Sequence, residues 1–166
     1  MSAVSPRSSE SADARRVAGG AMYRFLECQA GQYMTRVVET VTRERTLREL
    51  GALFETHDFN AFPVVEVGRM IGIVTKLDFL RAFAFTTDQI VPHYDELMRR
   101  TVGELMSTDV LHVTPTTALT RVLELMVSHR TRSIPVLSAD GQLVGMISRE
   151  DVMRALREAT DLRDVP

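Results

Sequence analysis

The sequence predicts a mixed α/β (α+β) fold built from two tandem β-α-β-β-α repeats that pack against each other. Two observations predict it: the chain resembles itself at an offset of 72 residues, and each copy alternates short β-branched runs with helical patterns. A chain of 166 residues with 45% hydrophobic and 25% charged residues is able to bury a core without disulfides or metals.

The repeat places residues 29–66 over residues 101–138, and one inserted residue then moves the offset to 73. The register is kept across the whole copy, and the single gap falls at a turn. We therefore predict a flexible polar arm and lead-in over residues 1–28, repeats over 29–85 and 101–160, a linker over 86–100, and a tail over 161–166. Identical pairs include Gly31/Gly103, Met34/Met106, Val41/Val113, Pro63/Pro135, Gly72/Gly145, Asp78/Asp151 and Arg81/Arg154.

Each copy is expected to open with a strand, over residues 37–41 and 110–113, because these runs are rich in β-branched residues. A helix follows. In the second copy Thr114 suits an N-cap and Pro115 the first helical position. The apolar residues then recur at helical spacing: Leu47, Leu50, Leu53 and Phe54 in the first copy, and Leu119, Val122, Leu123 and Met126 in the second.

Two hairpin strands come next in each copy, over residues 62–67 with 70–74 and over 134–137 with 143–147. Gly68-Arg69 and Asp140-Gly141 are the predicted turns. The closing helices begin at Thr75 and Ser148, and Thr101 with Glu104 predicts a capping box. The predicted apolar faces of the closing helices comprise Leu77, Leu80, Ala84, Val152, Leu156 and Ala159.

One short segment between the last strand and the last helix of each copy carries the chemistry. It runs from Gly72 to Asp78 in the first copy and from Gly145 to Asp151 in the second. Its hydroxyl and carboxylate stand three residues apart at a helix start, where free backbone N–H groups suit a phosphate and a carboxylate suits the hydroxyls of a ribose. The same spacing is also an ordinary helix-capping arrangement, and the repeat alone leaves both interpretations open.

These residues resemble those of the CBS domain. The resemblance covers residues 29–157 and lies in the Gly-x-x-Thr/Ser-x-x-Asp segments, the apolar-Pro-Val segments at Phe62 and Ile134, and the repeat starts at Tyr33 and Leu105. It implies a pair of repeats packed as a pseudo-two-fold disc with two inter-repeat clefts. It also implies that an adenosyl compound such as AMP, ADP, ATP or S-adenosylmethionine is the ligand.

The resemblance carries ligand roles to particular positions. Thr75 and Asp78, with Ser148 and Asp151, are expected to hold phosphate and ribose. Arg132 stands three positions before Pro135, where Asn60 stands in the first copy. The cleft that uses Arg132 is therefore expected to bind a phosphorylated ligand more tightly, since a guanidinium adds charge and an amide does not. The alternative is that Arg132 is a solvated surface arginine. The residues expected to lie against the adenine are Val38, Glu39, Phe62, Pro63, Val110, Leu111, Ile134 and Pro135.

Several other classes of function find little support. The net charge of −2 argues against a general nucleic-acid binder, and no apolar run is long enough to cross a membrane. Cys28 is the single cysteine, which suggests a reducing, cytoplasmic setting. His57 and His129 are interpreted as residues at helix C-termini rather than as metal ligands. No nucleophile with a base, nucleotide-binding loop or metal-ligand spacing is present, so we expect no enzyme, no metal and no required cofactor.

The leading hypothesis is a regulatory sensor that passes a ligand-dependent change to a homodimer partner or to an unidentified effector protein. The competing hypothesis is a dimerisation or docking module whose clefts bind nothing. Phe79, Phe83 and Phe85 are expected to pack in the core, with a partner-facing aromatic stripe as the alternative.

Overall fold

A computed structural model describes residues 23–85 and 93–161; most of the predicted arm and nearly all of the tail lie outside them. A helical segment over residues 23–27 precedes the named elements. These are α1 (Ala30–Tyr33), α2 (Leu47–Thr56), β1 (Ala61–Glu66), β2 (Arg69–Thr75), α3 (Lys76–Arg81), α4 (Tyr94–Arg99), α5 (Val102–Leu105), α6 (Leu119–Ser128), β3 (Ser133–Leu137), β4 (Leu143–Ser148) and α7 (Arg149–Asp161).

The described residues form two compact units, each of which takes residues from both repeats. We call residues 35–85, 93–112 and 135–146 the central unit. We call residues 23–34, 113–134 and 147–161 the terminal unit. The fold class predicted from the sequence is confirmed: helices and short two-stranded sheets recur in two tandem repeats.

The sheet of the central unit is the antiparallel hairpin of β1 and β2, interrupted by a bulge between Val64 and Val65. It packs on α2 and on the segment that begins the second repeat. Ile73 and Ser107 exchange both backbone hydrogen bonds at 2.9 Å. The buried core of this unit consists of Val41, Leu50, Phe62, Val64, Val74 and Val102.

The terminal unit packs α1 and α6 against α7. Residues at the start of the first repeat are joined to the second repeat by backbone hydrogen bonds, from Gly31 N–H to Pro115 O at 2.8 Å and from Leu119 N–H to Cys28 O at 2.8 Å. Leu119, Val122 and Ile147 are fully buried here. Met126 is also buried as predicted, but Leu123 is 37% exposed and Leu125 is buried in its place, so the amphipathic pattern marks three of its four core residues correctly.

The predicted opening strands are wrong as regular elements. In the first repeat only Val41 pairs, in a single parallel bridge with Val64, and Val37 is 93% exposed. In the second repeat only Val113 forms a bridge. A β-branched run forms a strand only where a neighbouring strand meets it along its length, and here that contact is one residue long.

The predicted start of the second-repeat helix is also wrong, because α6 begins at Leu119 with Ala118 as its N-cap. Thr114 and Pro115 instead form a turn: Thr117 N–H donates to Thr114 O at 3.0 Å, and the Thr117 hydroxyl accepts from Thr114 N–H. Proline and threonine suit a turn as well as a helix start, so these residue types could not separate the two.

The closing helix of the first repeat is shorter than expected and exposes its leucines. The structure ends α3 at Arg81, so Ala84 lies beyond it, and Leu77 and Leu80 are 57% and 60% exposed. Phe79 is the inward residue, with its ring 6.2 Å from that of Phe54. The apolar face predicted for α3 therefore lies on a different side of the helix from the face that is buried.

Several local predictions are confirmed. Thr101 and Glu104 form a capping box at α5, and His57 and His129 are the C-cap residues of α2 and α6.

The first hairpin turn falls one residue earlier than predicted, at Val67 and Gly68, which both have positive φ. The predicted linker holds α4, with residues 86–92 outside the described ranges. None of the described helices is both long and apolar enough to cross a membrane.

Candidate functional site

The first candidate pair, Thr75 and Asp78, lies at the start of α3 in the central unit. The Thr75 backbone N–H and hydroxyl donate to Asp78 Oδ2 at 2.9 and 2.7 Å, and the Asp78 N–H donates to the Thr75 hydroxyl at 3.1 Å. Arg81 donates to Asp78 Oδ1 at 3.3 Å. The pair is a complete capping box, which confirms the capping interpretation of this segment.

The second candidate pair, Ser148 and Asp151, repeats this geometry at the start of α7 in the terminal unit. The Ser148 N–H and hydroxyl both donate to Asp151 Oδ2 at 2.8 Å. Arg154 donates to Asp151 Oδ1 at 2.8 Å, and Asp151 is 5% exposed. Both aspartates therefore hold a helix start through one oxygen and an arginine through the other.

The helix cap does not use every acceptor position of these two carboxylates. An ionised carboxylate offers about four lone-pair positions, and the capping box and the arginine together use three of them. One further donor, such as a ribose hydroxyl, therefore has an acceptor available on each aspartate where solvent reaches it.

Asp78 borders an open cavity of about 290 Å³ in the central unit, at the low end of the volumes of small-molecule sites. Residues from both repeats and from the end of the linker line it: Asp78, Arg81, Ala82, Arg100, Leu105 and Ser107. Arg100 also donates to Glu104 Oε2 at 2.9 Å. That hydrogen bond, together with one from Thr101 N–H, lowers the pKa of the Glu104 carboxyl.

Arg132 lies beside the second pair. Its carbonyl accepts from the N–H of Arg149, the residue after Ser148, at 3.0 Å, and Asn60 is bonded in the same way to Lys76 at 2.9 Å. Residue 132 is exposed. The repeat therefore places Arg132 and Asn60 at equivalent positions beside the two capping boxes.

The residues expected to lie against an adenine are divided between the units. The central unit holds Val38, Phe62, Pro63, Val110, Leu111 and Pro135, and the terminal unit holds Ile134. Phe62, Pro63, Ile134 and Pro135 are buried. Val38, Val110 and Leu111 are half-buried, so their side chains retain a surface that a ligand can reach.

Sequence reasoning missed the arginines of the cavity. Arg81 matched Arg154 across the repeat, and its position one turn after Asp78 could have marked it as a neighbour of that carboxylate. Arg100 is the last residue of the predicted linker, outside the segments that were assigned ligand roles. Its place at the cavity depends on how α5 folds back on the first-repeat hairpin, which no local pattern encodes.

Comparisons with known proteins point to one family. The model of the CBS domain matches residues 30–85 and 102–158. The CBS domain-containing protein YhcV of Bacillus subtilis is 32% identical over 120 residues, which cover 72% of this chain and 79% of that protein. Protein MJ1225 of Methanocaldococcus jannaschii is 28% identical over 126 residues, and this chain spans 45% of its length.

Solved structures share the fold. A CBS domain-containing protein from Bacillus anthracis has a TM-score of 0.71 at 17% identity, over 82% of this chain and 98% of that one. CBSX2 in complex with AMP has a TM-score of 0.67 at 24% identity, over 78% and 96%. The CBS domain pair of MJ0100, in complex with 5′-methylthioadenosine and S-adenosyl-L-methionine, has a TM-score of 0.62 at 20% identity, over 76% and 94%.

Proposed function

The chain belongs to the CBS domain family, and on that premise we propose that it is a non-catalytic regulatory module that binds an adenosyl ligand. The candidates are AMP, ADP, ATP and S-adenosylmethionine. The observation that carries the proposal is the cavity beside Asp78, which joins a carboxylate to arginines and draws its lining from both repeats. Two structures of the same fold hold adenosine compounds, which supports this class of ligand.

Each part of such a ligand has a group of matching chemistry. The ribose hydroxyls donate to Asp78 or Asp151, and the hydroxyls of Thr75 and Ser148 stand beside them at the helix starts. The adenine lies against the half-buried apolar residues Val110 and Leu111 or Val38. In the second repeat, Arg132 adds a charge-assisted contact to the phosphate, which Asn60 cannot provide in the first.

Regulation follows if the ligand favours one arrangement of the two repeats. A ligand that touches residues of both repeats shifts their packing only as far as its affinity for the two arrangements differs. The output then passes to a second copy of the chain or to another protein. Leu77 and Leu80 stand side by side on α3, mostly exposed, and offer an apolar surface for such a contact.

The same exposed leucines favour the second candidate function, a dimerisation or docking module that binds no ligand. A thermal-shift screen with AMP, ADP, ATP, S-adenosylmethionine and NAD separates the two. A ligand present at 100 times its Kd stabilises the folded chain by about 2.7 kcal/mol. A shift with an adenosyl compound supports the sensor, whereas no shift with any of them, together with a dimer that Leu80→Ser dissociates, supports the docking module.

A further inference from the structure

The two repeats differ at the position next to their capping boxes. In the first repeat, Asp78 and Arg81 face the open cavity, together with Leu105 and Arg100. At the repeat offset of 72, Leu105 corresponds to Tyr33 and Arg100 to Cys28. The position beside the first capping box therefore has an aliphatic side chain from the second repeat and a cation from the linker. The position beside the second capping box has a tyrosine from the first repeat and a thiol from its lead-in.

Tyr33 lies at the matching position in the terminal unit. Arg154 donates to the Tyr33 carbonyl at 2.7 Å, and its guanidinium lies 5.9 Å from the centre of the Tyr33 ring. The ring hydroxyl in turn lies 3.8 Å from Cys28 Sγ. Ala155 is fully buried, whereas its counterpart Ala82 lines the cavity. The guanidinium that corresponds to Arg81 is thus engaged by the protein itself.

Arg81 and Arg100 pair with carboxylates in ion pairs that are open to solvent. The Arg81 side chain is 68% exposed and pairs with Asp78 at 3.3 Å, and the Arg100 side chain is 42% exposed and pairs with Glu104. Exposed ion pairs of this kind contribute little to stability, so an incoming anion can replace or bridge them. The lining of the cavity holds two guanidinium groups and one carboxylate, and Glu104 outside the lining pairs with Arg100, so an anion in the cavity has to replace Glu104 as the partner of Arg100.

We propose that Arg81 and Arg100 form an anion-binding position that takes the phosphate of the ligand in the first repeat, and that Tyr33 closes the equivalent position in the second. This inference rests on the proposed function and assigns it two residues. Asn60 carries no charge, so in the first repeat Arg81 on α3 and Arg100 at the end of α4 supply the positive charge. The two repeats then bind phosphate through different residues.

The test compares AMP with adenosine, which lacks the phosphate, by isothermal titration calorimetry. All chains carry Arg132→Ala, so that the second-repeat phosphate contact is absent. One variant carries Arg81→Gln together with Arg100→Gln. The other carries Leu105→Tyr, which places at the first capping box the residue type that Tyr33 provides beside the second. Arg99→Gln is the matched control, because residue 99 is an exposed arginine beside Arg100 and does not line the cavity.

The double glutamine variant is expected to bind AMP about tenfold more weakly, as expected from the loss of a charged hydrogen bond, and to bind adenosine as before. Leu105→Tyr is expected to weaken the binding of AMP. Arg99→Gln is expected to leave the affinities for AMP and adenosine unchanged. Unchanged AMP affinity in the double variant overturns the inference, as does an equal loss of AMP and adenosine, while both leave the proposed function standing. A parent chain that binds neither compound overturns this inference, and the thermal-shift screen of the wild-type chain then decides whether the proposed function stands.

Discussion

Ser148 and Asp151 are joined by three hydrogen bonds across three residues of chain, in which Asp151 Oδ2 accepts from both the backbone N–H and the hydroxyl of Ser148 at 2.8 Å. The same atoms that start α7 are those that the proposed ligand would use. Stability and the proposed ligand binding therefore depend on the same side chains.

Asp151→Ala is expected to lower the free energy of unfolding by about 1–3 kcal/mol, because it removes a helix cap and leaves Arg154 without its carboxylate. Asp78→Ala is expected to lower the free energy of unfolding by less, since the Asp78–Arg81 pair is longer than the Asp151–Arg154 pair and its arginine is more exposed. Urea unfolding followed by circular dichroism measures both. Ser148→Thr keeps the cap and serves as the control. Equal stability of Asp151→Ala and the wild type would show that the capping box contributes nothing.

Arg132→Ala is expected to weaken binding of AMP or ATP in the second repeat by about tenfold without changing stability, because the side chain is exposed and its proposed role is to contact a phosphate. Asn60→Arg, the reciprocal change, is expected to strengthen AMP binding in the first repeat. Titration calorimetry with AMP and adenosine checks both variants. An Arg132→Ala chain that binds AMP as the wild type does would contradict the phosphate role.

Val67→Asn is expected to raise the free energy of unfolding by about 1 kcal/mol. Val67 has φ +49° and Gly68 φ +76°, the two positive values of a two-residue hairpin turn, and a β-branched residue is strained there. Val37→Asn is the control, because Val37 is equally exposed but has no positive φ. The prediction fails if both substitutions change the urea midpoint by the same amount.

Tyr33 is expected to ionise near pH 12. Partial burial raises the pKa of Tyr33 to about 12, with further contributions from Cys28 and Glu158. The folded chain then holds its proton more tightly than the unfolded chain, so stability is complete below pH 10 and falls as the pH rises from about 10 to 12. Phenolate absorbance, compared with Tyr33→Phe, measures the midpoint. A Tyr33 transition near pH 10 would show that the ring is open to water.

The sequence predicts those features that depend on neighbours along the chain. Both hairpins, helix α2 and the capping boxes that begin at Thr75, Thr101 and Ser148 follow from turn residues, apolar spacing and alcohol–acid pairs that lie within a few positions of each other. The repeat adds a second copy of each signal. That is why Thr75 and Ser148, far apart in sequence, were both placed correctly at helix starts.

The features that the sequence does not predict depend on contacts between residues that are distant in sequence. Val37 is β-branched but meets no partner strand, and Leu77 is apolar but faces solvent because Phe79 takes the inward face. The cavity escaped prediction for the same reason. Arg100 and Ser107 reach Asp78 through the packing of the second-repeat start on the first-repeat hairpin. Composition and spacing do not encode that contact.

The most direct test of the proposed ligand site is a calorimetric titration of the purified wild-type chain with AMP, ADP, ATP and S-adenosylmethionine, repeated on a variant that carries Asp78→Asn and Asp151→Asn. We expect saturable binding of at least one of these compounds to the wild type and a loss of affinity of about tenfold or more in the variant. Binding that the variant retains in full, or no binding of any of the four compounds at millimolar concentration, would contradict it.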